Sequence, residues 1–277
     1  MKKNRISILG CGWLGLPLAK HFLESGYEVN GSVTTAEKFG ILREAGISPF
    51  KVVISESDSK IDNPEFLDCE VMVVSIPPRR IAGIEHIFPA QVSQLIQLIL
   101  KAEIRKVIFI SSTSVYPDQL QIARESEVLN PEKESGKGLV VAEELLRNQT
   151  AFQTTIIRFG GLIGADRNPA RFLLKSTRTI PNAPVNLIHQ DDCIRIISEI
   201  VRLEIWGETL NACCPEHPFK KEFYGKAAQI SGLPEPEIGE VSGAYKIVDS
   251  SKLIRLLSYN FKYPNPMDYL ENLNLRN

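Results

Sequence analysis

The sequence predicts an α/β fold, a doubly wound parallel sheet with a smaller C-terminal lobe. Three observations predict it. Short apolar runs such as Ile6 to Leu9, Val71 to Ile76 and Lys106 to Ile110 have the character of strands buried on both faces. Stretches with helical spacing of apolar residues stand between them, the alternation that builds a parallel sheet. The glycines Gly10, Gly12 and Gly15 follow the first strand and open the first helix. With 277 residues, 43% of them hydrophobic, the chain can bury one large core or a domain with a smaller lobe.

In the first element, ISILGCGWLGLPLAKHFLESG, Leu14, Leu18 and Phe22 recur every fourth residue, with Ala19 and Leu23 beside them. One helical stripe therefore faces a core until Gly26 supplies a left-handed stop. The three glycines of the turn do different things. Gly10 makes the bend, Gly12 lets a pyrophosphate approach the backbone, and Gly15 lets helix and strand pack closely. The helix dipole adds about 0.3–2 kcal/mol for an anion at this end, and Pro17 is tolerated there because its missing N–H would be unpaired anyway. Gly10, Gly12, Trp13, Leu14 and Gly15 are thus the predicted cradle of a dinucleotide in a Rossmann fold.

The formal charge of −1 provides no basic field for nucleic acid or acidic lipid. The apolar stretch behind MKKNR is broken after four residues, too short for a signal-peptide core, and no apolar run reaches membrane-spanning length. The five cysteines lack any CxxC spacing, and the four histidines are scattered. Reduced thiols, a cytoplasmic location and no metal site are the expectations.

Next, Tyr27 to Ser32 is read as the second strand. An acid roughly 20 residues past the glycine turn would bond the ribose 2′-hydroxyl of NAD. Ser32, Val33, Thr34 and Thr35 stand there instead, with Lys38 close behind. These hydroxyls tolerate a 2′-phosphate, which favours NADP, with NAD as the alternative. They also read as turn residues before a helix from Ala36 to Ala45. A strand at Phe50 to Ile54 and a polar loop precede the strand Val71 to Ile76. Ligands in such folds lie outside the carboxyl ends of the strands, so Ser75, Ile76, Pro77, Arg79 and Arg80 are placed to meet cofactor or substrate. A helix from Phe88 to Lys101 leads to the strand Lys106 to Ile110, which ends in SSTSVYP. Further on, Ile156 to Arg158 is a strand, Asp191 to Glu204 a helix, Lys246 to Asp249 a strand and Ser250 to Leu257 a helix. The dinucleotide domain is expected at 1–160, completed by segments around 185–212. Residues 161–277 form the smaller, discontinuous substrate lobe.

Five segments in order, GCGWLG, SSTSVY, IIRFGGLIG, LIHQDD and LNACCP, carry a resemblance that covers nearly the whole chain. It resembles the extended short-chain dehydrogenase/reductases of the NAD-dependent epimerase/dehydratase group, most closely atypical members similar to bacterial YeeZ-type proteins. The resemblance implies that the active serine falls on Ser112 and the lysine that contacts the nicotinamide ribose on Lys137. The catalytic tyrosine should stand four residues before that lysine, and Lys133 is there. Leu9 likewise stands where typical members have the first of three glycines. Ser112 also reads as a strand-end hydroxyl capping a turn, and Lys137 as part of a solvated helix face. The candidate substrate contacts are Arg79, Tyr116, Arg171 and His189. Arg171 lies in the loop RNPARF, a region that closes over the substrate diphosphate in nucleotide-sugar enzymes of similar fold. Tyr116 reads equally as a packed aromatic, and Asp192 as a helix cap.

The resemblance implies an NAD(P)-dependent oxidoreductase or isomerase acting on a small polar, nucleotide-linked substrate. A homodimer is compatible with it. The missing tyrosine keeps a second class open, a non-catalytic NADP-binding sensor or scaffold. A third, a hydroxyacid or imine dehydrogenase, would share the glycine opening, but it would continue into an all-helical second half that RFGGLIG, IHQDD and LNACCP argue against.

Overall fold

The computed structural model describes residues 4–164, 167–172, 179–241 and 243–274. Strand β1 (Arg5–Leu9) runs into the glycine turn and helix α1 (Gly15–Glu24), whose Leu18, Ala19 and Phe22 are fully buried. Gly26, with φ +86°, ends the turn after it. Next comes β2 (Glu28–Val33). The helix expected at Ala36 to Ala45 is a 3-10 turn at Ala36–Lys38 followed by a short α2 (Phe39–Glu44). Leu42 is its only buried residue, so tertiary packing supports little more helix than this. Strand β3 (Ser48–Ile54) then pairs antiparallel with β4 (Ser59–Ile61), a hairpin in the segment read as a polar loop. Ser55 and Asp58 close it through their backbone and the Ser55 hydroxyl.

Strand β5 (Val71–Val74) leads to α3 (Ile84–Lys101), which begins one turn earlier than Phe88. Gly83, with φ +75°, turns the chain there and Ile84 is buried. Pro89 lies inside the helix, where it forgoes only the bond to the Glu85 carbonyl. Strand β6 (Lys106–Ser112) follows, then β7 (Gln121–Ala123), α4 (Glu134–Arg147) and β8 (Gln153–Phe159). The remainder is β9 (Gly161–Ile163), β10 (Ile180–Asn182), β11 (Leu187–His189), α5 (Gln190–Arg202), β12 (Thr209–Ala212), α6 (Lys220–Ile230), β13 (Ile238–Val241), β14 (Lys246–Val248), α7 (Ser251–Leu257) and α8 (Pro266–Asn274).

The central sheet has the order β12-β8-β6-β5-β1-β2-β3-β4. Its pairings from β6 through β5, β1 and β2 to β3 are parallel, and only the edge pair β3 and β4 is shown antiparallel. Chain order reverses at β1, between β2 and β5. That is the switch point where such sheets open a crevice at the carboxyl ends of their strands. This is the doubly wound, Rossmann-like α/β fold expected from the sequence.

The chain divides into two compact units. The first comprises Met1–Val115, Pro131–Ile157 and Ile196–Thr209, and the second Tyr116–Asn130, Arg158–Arg195 and Leu210–Asn277. The second has its own core, in which Ile163, Leu187, Phe223, Tyr263, Tyr269 and Leu270 pack together. No helix among the described residues is long and apolar enough to cross a membrane. All five cysteines are buried and free of disulfides.

Candidate functional site

The first unit gathers the glycine turn and the carboxyl ends of β1, β5 and β6. A Cβ at Gly10 would stand 2.7 Å from the Ser75 carbonyl oxygen, and the residue has φ +101°. A Cβ at Gly15 would stand 2.1 Å from the Gly10 carbonyl oxygen. Both positions therefore require glycine on internal grounds. Gly12 differs: it is exposed, and a Cβ there would meet nothing within 4 Å. The space over Gly12 is open to a ligand, as a pyrophosphate cradle requires. Leu14, buried, is the N-cap of α1 and gives the turn only its backbone, while Trp13 is half-buried beside it.

The turn is tied to its neighbours by hydrogen bonds. The Gly10 N–H donates to the Ser32 hydroxyl at 2.9 Å, the Cys11 N–H to the Ser32 carbonyl at 2.8 Å, and the Ser75 N–H to the Leu9 carbonyl at 2.8 Å. Ser32 thus serves the turn. Burial pushes the Cys11 thiol up to about 12, so it stays protonated at neutral pH. Ser75 and Ile76 are half-buried next to Gly10, Pro77 is exposed, and so is Arg79.

Thr34 and Thr35 are exposed at the end of β2, as a ribose contact requires. A carboxylate nevertheless stands near them, which corrects the expectation of hydroxyls alone. The Thr35 hydroxyl holds the Glu37 carboxyl below its ordinary value, aided by the Glu37 backbone N–H. Glu37 escapes a reading by position because it lies past the strand, inside the 3-10 turn.

Ser112 ends β6 half-buried, and its Oγ accepts the Ser114 N–H at 3.1 Å. It therefore caps the following turn and keeps its own proton to donate. Lys133 is the N-cap of α4 and Lys137 lies one turn on; both are exposed, and the Lys137 N–H donates to the Lys133 carbonyl at 3.0 Å. Two glycines fix this turn. A Cβ at Gly136 would lie 2.7 Å from the Ser114 carbonyl oxygen, and one at Gly138 would lie 3.0 Å from that of Ile84 and 3.3 Å from the Glu85 Cα. Helix α4 is thus pressed between the Ser112 turn and the first turn of α3. Further along, the Ser111 hydroxyl donates to the buried Glu143 carboxylate at 2.5 Å. Two signals for this clamp stand in the sequence: two glycines early in a helix, each costing about 0.5–1 kcal/mol against alanine, and a glutamate on the apolar stripe of Leu139, Ala142 and Leu146.

Tyr116, Arg171 and His189 belong to the second unit. Tyr116 is a correction to the substrate set, because its side chain is fully buried. Its hydroxyl donates to Asn211 at 2.8 Å and accepts from Arg158 at 2.6 Å, and the Arg158 guanidinium lies 5.1 Å from the ring centre. Burial raises the phenol pKa against the opposing charge of Arg158. Tyr116 is a packed strut. His189 is likewise buried, with Tyr263 and Tyr269 at ring distances of 4.4 and 4.6 Å and its Nδ1 accepting the Asp191 N–H at 3.1 Å. The cavity it lines measures about 110 Å³, room for a few waters and too small for a sugar ring. Arg171 is exposed in the 3-10 turn Pro169–Arg171. Asp192 is a clasp: fully buried, it accepts from the Tyr259 hydroxyl at 2.8 Å and the N–H groups of Lys262 and Tyr263 at 2.7 and 3.2 Å.

A groove of about 480 Å³ lined by Ile61, Pro64, Leu67 and Leu98 lies elsewhere. Its residues lead into β5 or sit at the end of α3, at the opposite end of the strands from the glycine turn. Among the described residues, no group of three or more His, Cys, Asp or Glu side chains is placed to hold a metal ion.

A parallel sheet with a glycine turn at its switch point, and a serine and a lysine flanking the end of the next strands, defines a class of dinucleotide-binding α/β protein. Residues 6–198 match the model of the NAD-dependent epimerase/dehydratase family. The chain is 33% identical over 271 residues to Protein YeeZ of Escherichia coli strain K12, covering 95% of this chain and 98% of the relative. It belongs to the NAD-dependent epimerase/dehydratase family. In fold it is similar to UDP-N-acetylglucosamine 4-epimerase from Bacillus cereus, with TM-score 0.77, 16% identity and 99% of each chain covered. It is also similar to UDP-glucuronic acid 4-epimerase from the same organism, solved with UDP-glucuronic acid and NAD, with TM-score 0.76, 20% identity and 98% of each chain covered.

Proposed function

We propose that this protein is an NAD(P)-binding oxidoreductase or isomerase of the epimerase/dehydratase type acting on a small polar substrate, a nucleotide sugar by preference. The open space over Gly12, between two positions where a Cβ would strike backbone, is the observation that carries the dinucleotide site. Gly10, Gly12 and the start of α1 would hold the pyrophosphate, Thr34 and Thr35 the adenosine ribose, and Ser75 to Pro77 with Lys137 the nicotinamide end. When bound, the dinucleotide supplies hydride acceptance or donation. Ser112 would orient a reacting hydroxyl, since its Oγ already accepts one N–H and keeps a proton to give. Thr34, Thr35 and Lys38 support NADP, and Glu37 is the group that opposes a 2′-phosphate.

Lys133 favours a second reading, a cofactor-binding sensor or scaffold without turnover. In the usual chemistry a phenol moves the proton, and general acid/base catalysis contributes a factor of about 10²–10⁴. The test is to assay wild type and Lys133→Tyr on nucleotide sugars with both cofactors. Slow or absent wild-type epimerisation with a gain in Lys133→Tyr supports a retained cofactor site that has lost its acid/base. Fast wild-type turnover abolished by Lys133→Ala would refute that and make Lys133 the catalytic residue. Failure of NAD and NADP to bind would sink the proposal as a whole.

A further inference from the structure

We infer that the substrate of this site carries an anionic group, a carboxylate or a phosphate, at its reacting end, and that Lys133 together with Lys137 receives it. The inference rests on the reading of the first unit as an NAD(P) site. Lys133 breaks three local rules in a single helical turn. It is an N-cap without the oxygen that a good cap supplies, and the structure shows no side-chain capping bond there. It puts a cation at the positive end of a 14-residue helix. It stands four residues before a second cation, so two like charges share one helix face.

Nothing in the protein offsets this arrangement. Lys133 and Lys137 are exposed and neither forms an ion pair among the described residues, although Glu132 and Glu134 are adjacent in sequence. Local rules broken without internal compensation mark the places where a chain serves something other than its own stability. The position is also fixed. Gly136 is pressed on the Ser114 carbonyl and Gly138 on the start of α3, so the lysine pair is held beside the turn that Ser112 caps. Arg79 and Arg80, exposed and likewise without ion pairs among the described residues, lie in the loop that leads into that same start of α3. The acid on that first turn is Glu85, whose Oε1 is 3.9 Å from His86. Four cations against Glu85, Glu132 and Glu134 leave a positive balance where the substrate's reacting end would lie. A phenol there would handle a proton, whereas a pair of exposed ammonium groups handles charge.

The test is calorimetry on the protein loaded with NAD or NADP. The probes are UDP-glucuronate against UDP-glucose, and glucose 6-phosphate against glucose. The expected result is at least tenfold tighter binding of the charged member in one pair, about 1.4 kcal/mol. That preference should shrink as salt is raised from 50 to 200 mM, both concentrations being about a factor of two either side of 0.1 M, where the screening length is about 10 Å. Lys133→Met should erase it and Lys133→Arg should keep it, with cooperative melting showing that both variants fold. The first pair reports a carboxylate and the second a phosphate. No preference in either pair, or a preference that survives Lys133→Met, overturns the inference while leaving the dinucleotide site intact. Absence of dinucleotide binding would instead remove the reading on which the inference stands, and the inference with it.

Discussion

Replacing Gly12 by valine separates the two kinds of glycine in the turn. A Cβ at Gly12 meets nothing within 4 Å, so Gly12→Val should change stability by no more than about 0.5 kcal/mol, as for a surface substitution. The valine methyls would occupy the space in which a pyrophosphate approaches the backbone, and affinity for NAD and NADP should fall at least a hundredfold, about 2.8 kcal/mol. Gly15→Ala is the contrast. Its Cβ would stand 2.1 Å from the Gly10 carbonyl oxygen and 3.0 Å from the carbonyl carbon, both backbone atoms that cannot swing away. The cost should reach or exceed the upper end of ordinary overpacking, about 3 kcal/mol. At about 2–4 °C per kcal/mol for a chain of this size, its melting temperature should drop by roughly 6–12 °C. Melting followed by circular dichroism and dinucleotide titration by calorimetry on both variants provide the readout. If Gly12→Val binds NADP as wild type does, the dinucleotide lies elsewhere; if it melts as low as Gly15→Ala, the open space over Gly12 is not there.

Asp192→Ala should destabilise the second unit by about 3 kcal/mol or more, because it strands the Tyr259 hydroxyl and two backbone N–H groups, and thermal melting reads it. His217 has its pKa lowered by burial, partly offset by its Nδ1 contact with the Val185 carbonyl. Its contribution to stability is therefore complete above about pH 6.5 and is lost as pH falls from there through the lower folded value, since the unfolded chain takes up a proton that the folded one resists. Melting temperatures of wild type and His217→Asn should accordingly converge as the pH is lowered from about 7.5 to about 5.5, a window that brackets the ordinary histidine value; a constant gap refutes this. At the end of β2, wild type should bind NADP more tightly than NAD, Glu37→Gln should widen the difference and Thr34→Asp reverse it. Wild-type binding of NAD at least tenfold tighter, about 1.4 kcal/mol, would end the NADP assignment.

The glycine turn is legible in the sequence because its signals are local: a buried strand, three glycines and a helical stripe occupy one continuous segment. The alternation of apolar strands and helices reveals the doubly wound sheet for the same reason. Short pairings are not legible. Strand β4 and the three-residue strands of the second unit are too brief to show a period, and their partners lie far away in sequence, as Gln121 to Ala123 does from Lys246 to Val248. The fate of single polar residues is hidden too. Tyr116 stands at the end of a motif, but Arg158 and Asn211, distant in the chain, converge on its hydroxyl and withdraw it from solvent. His189 goes the same way, because two tyrosines from the C-terminal segment enclose it.

The frame that positions α4 is distinct from the groups that α4 displays. Gly136 and Gly138 set its distance from the Ser112 turn and from α3, and Glu143 ties its buried face to Ser111. Neither Lys133 nor Lys137 contributes a side-chain bond to that frame. The residue at position 133 can therefore change from phenol to ammonium without moving the helix, because the exchange occurs on an exposed cap while packing and the buried Ser111 bond hold the backbone. In such a scaffold chemistry diverges at the displayed position first, and the glycines with Glu143 are where substitution should damage the fold instead of the reaction.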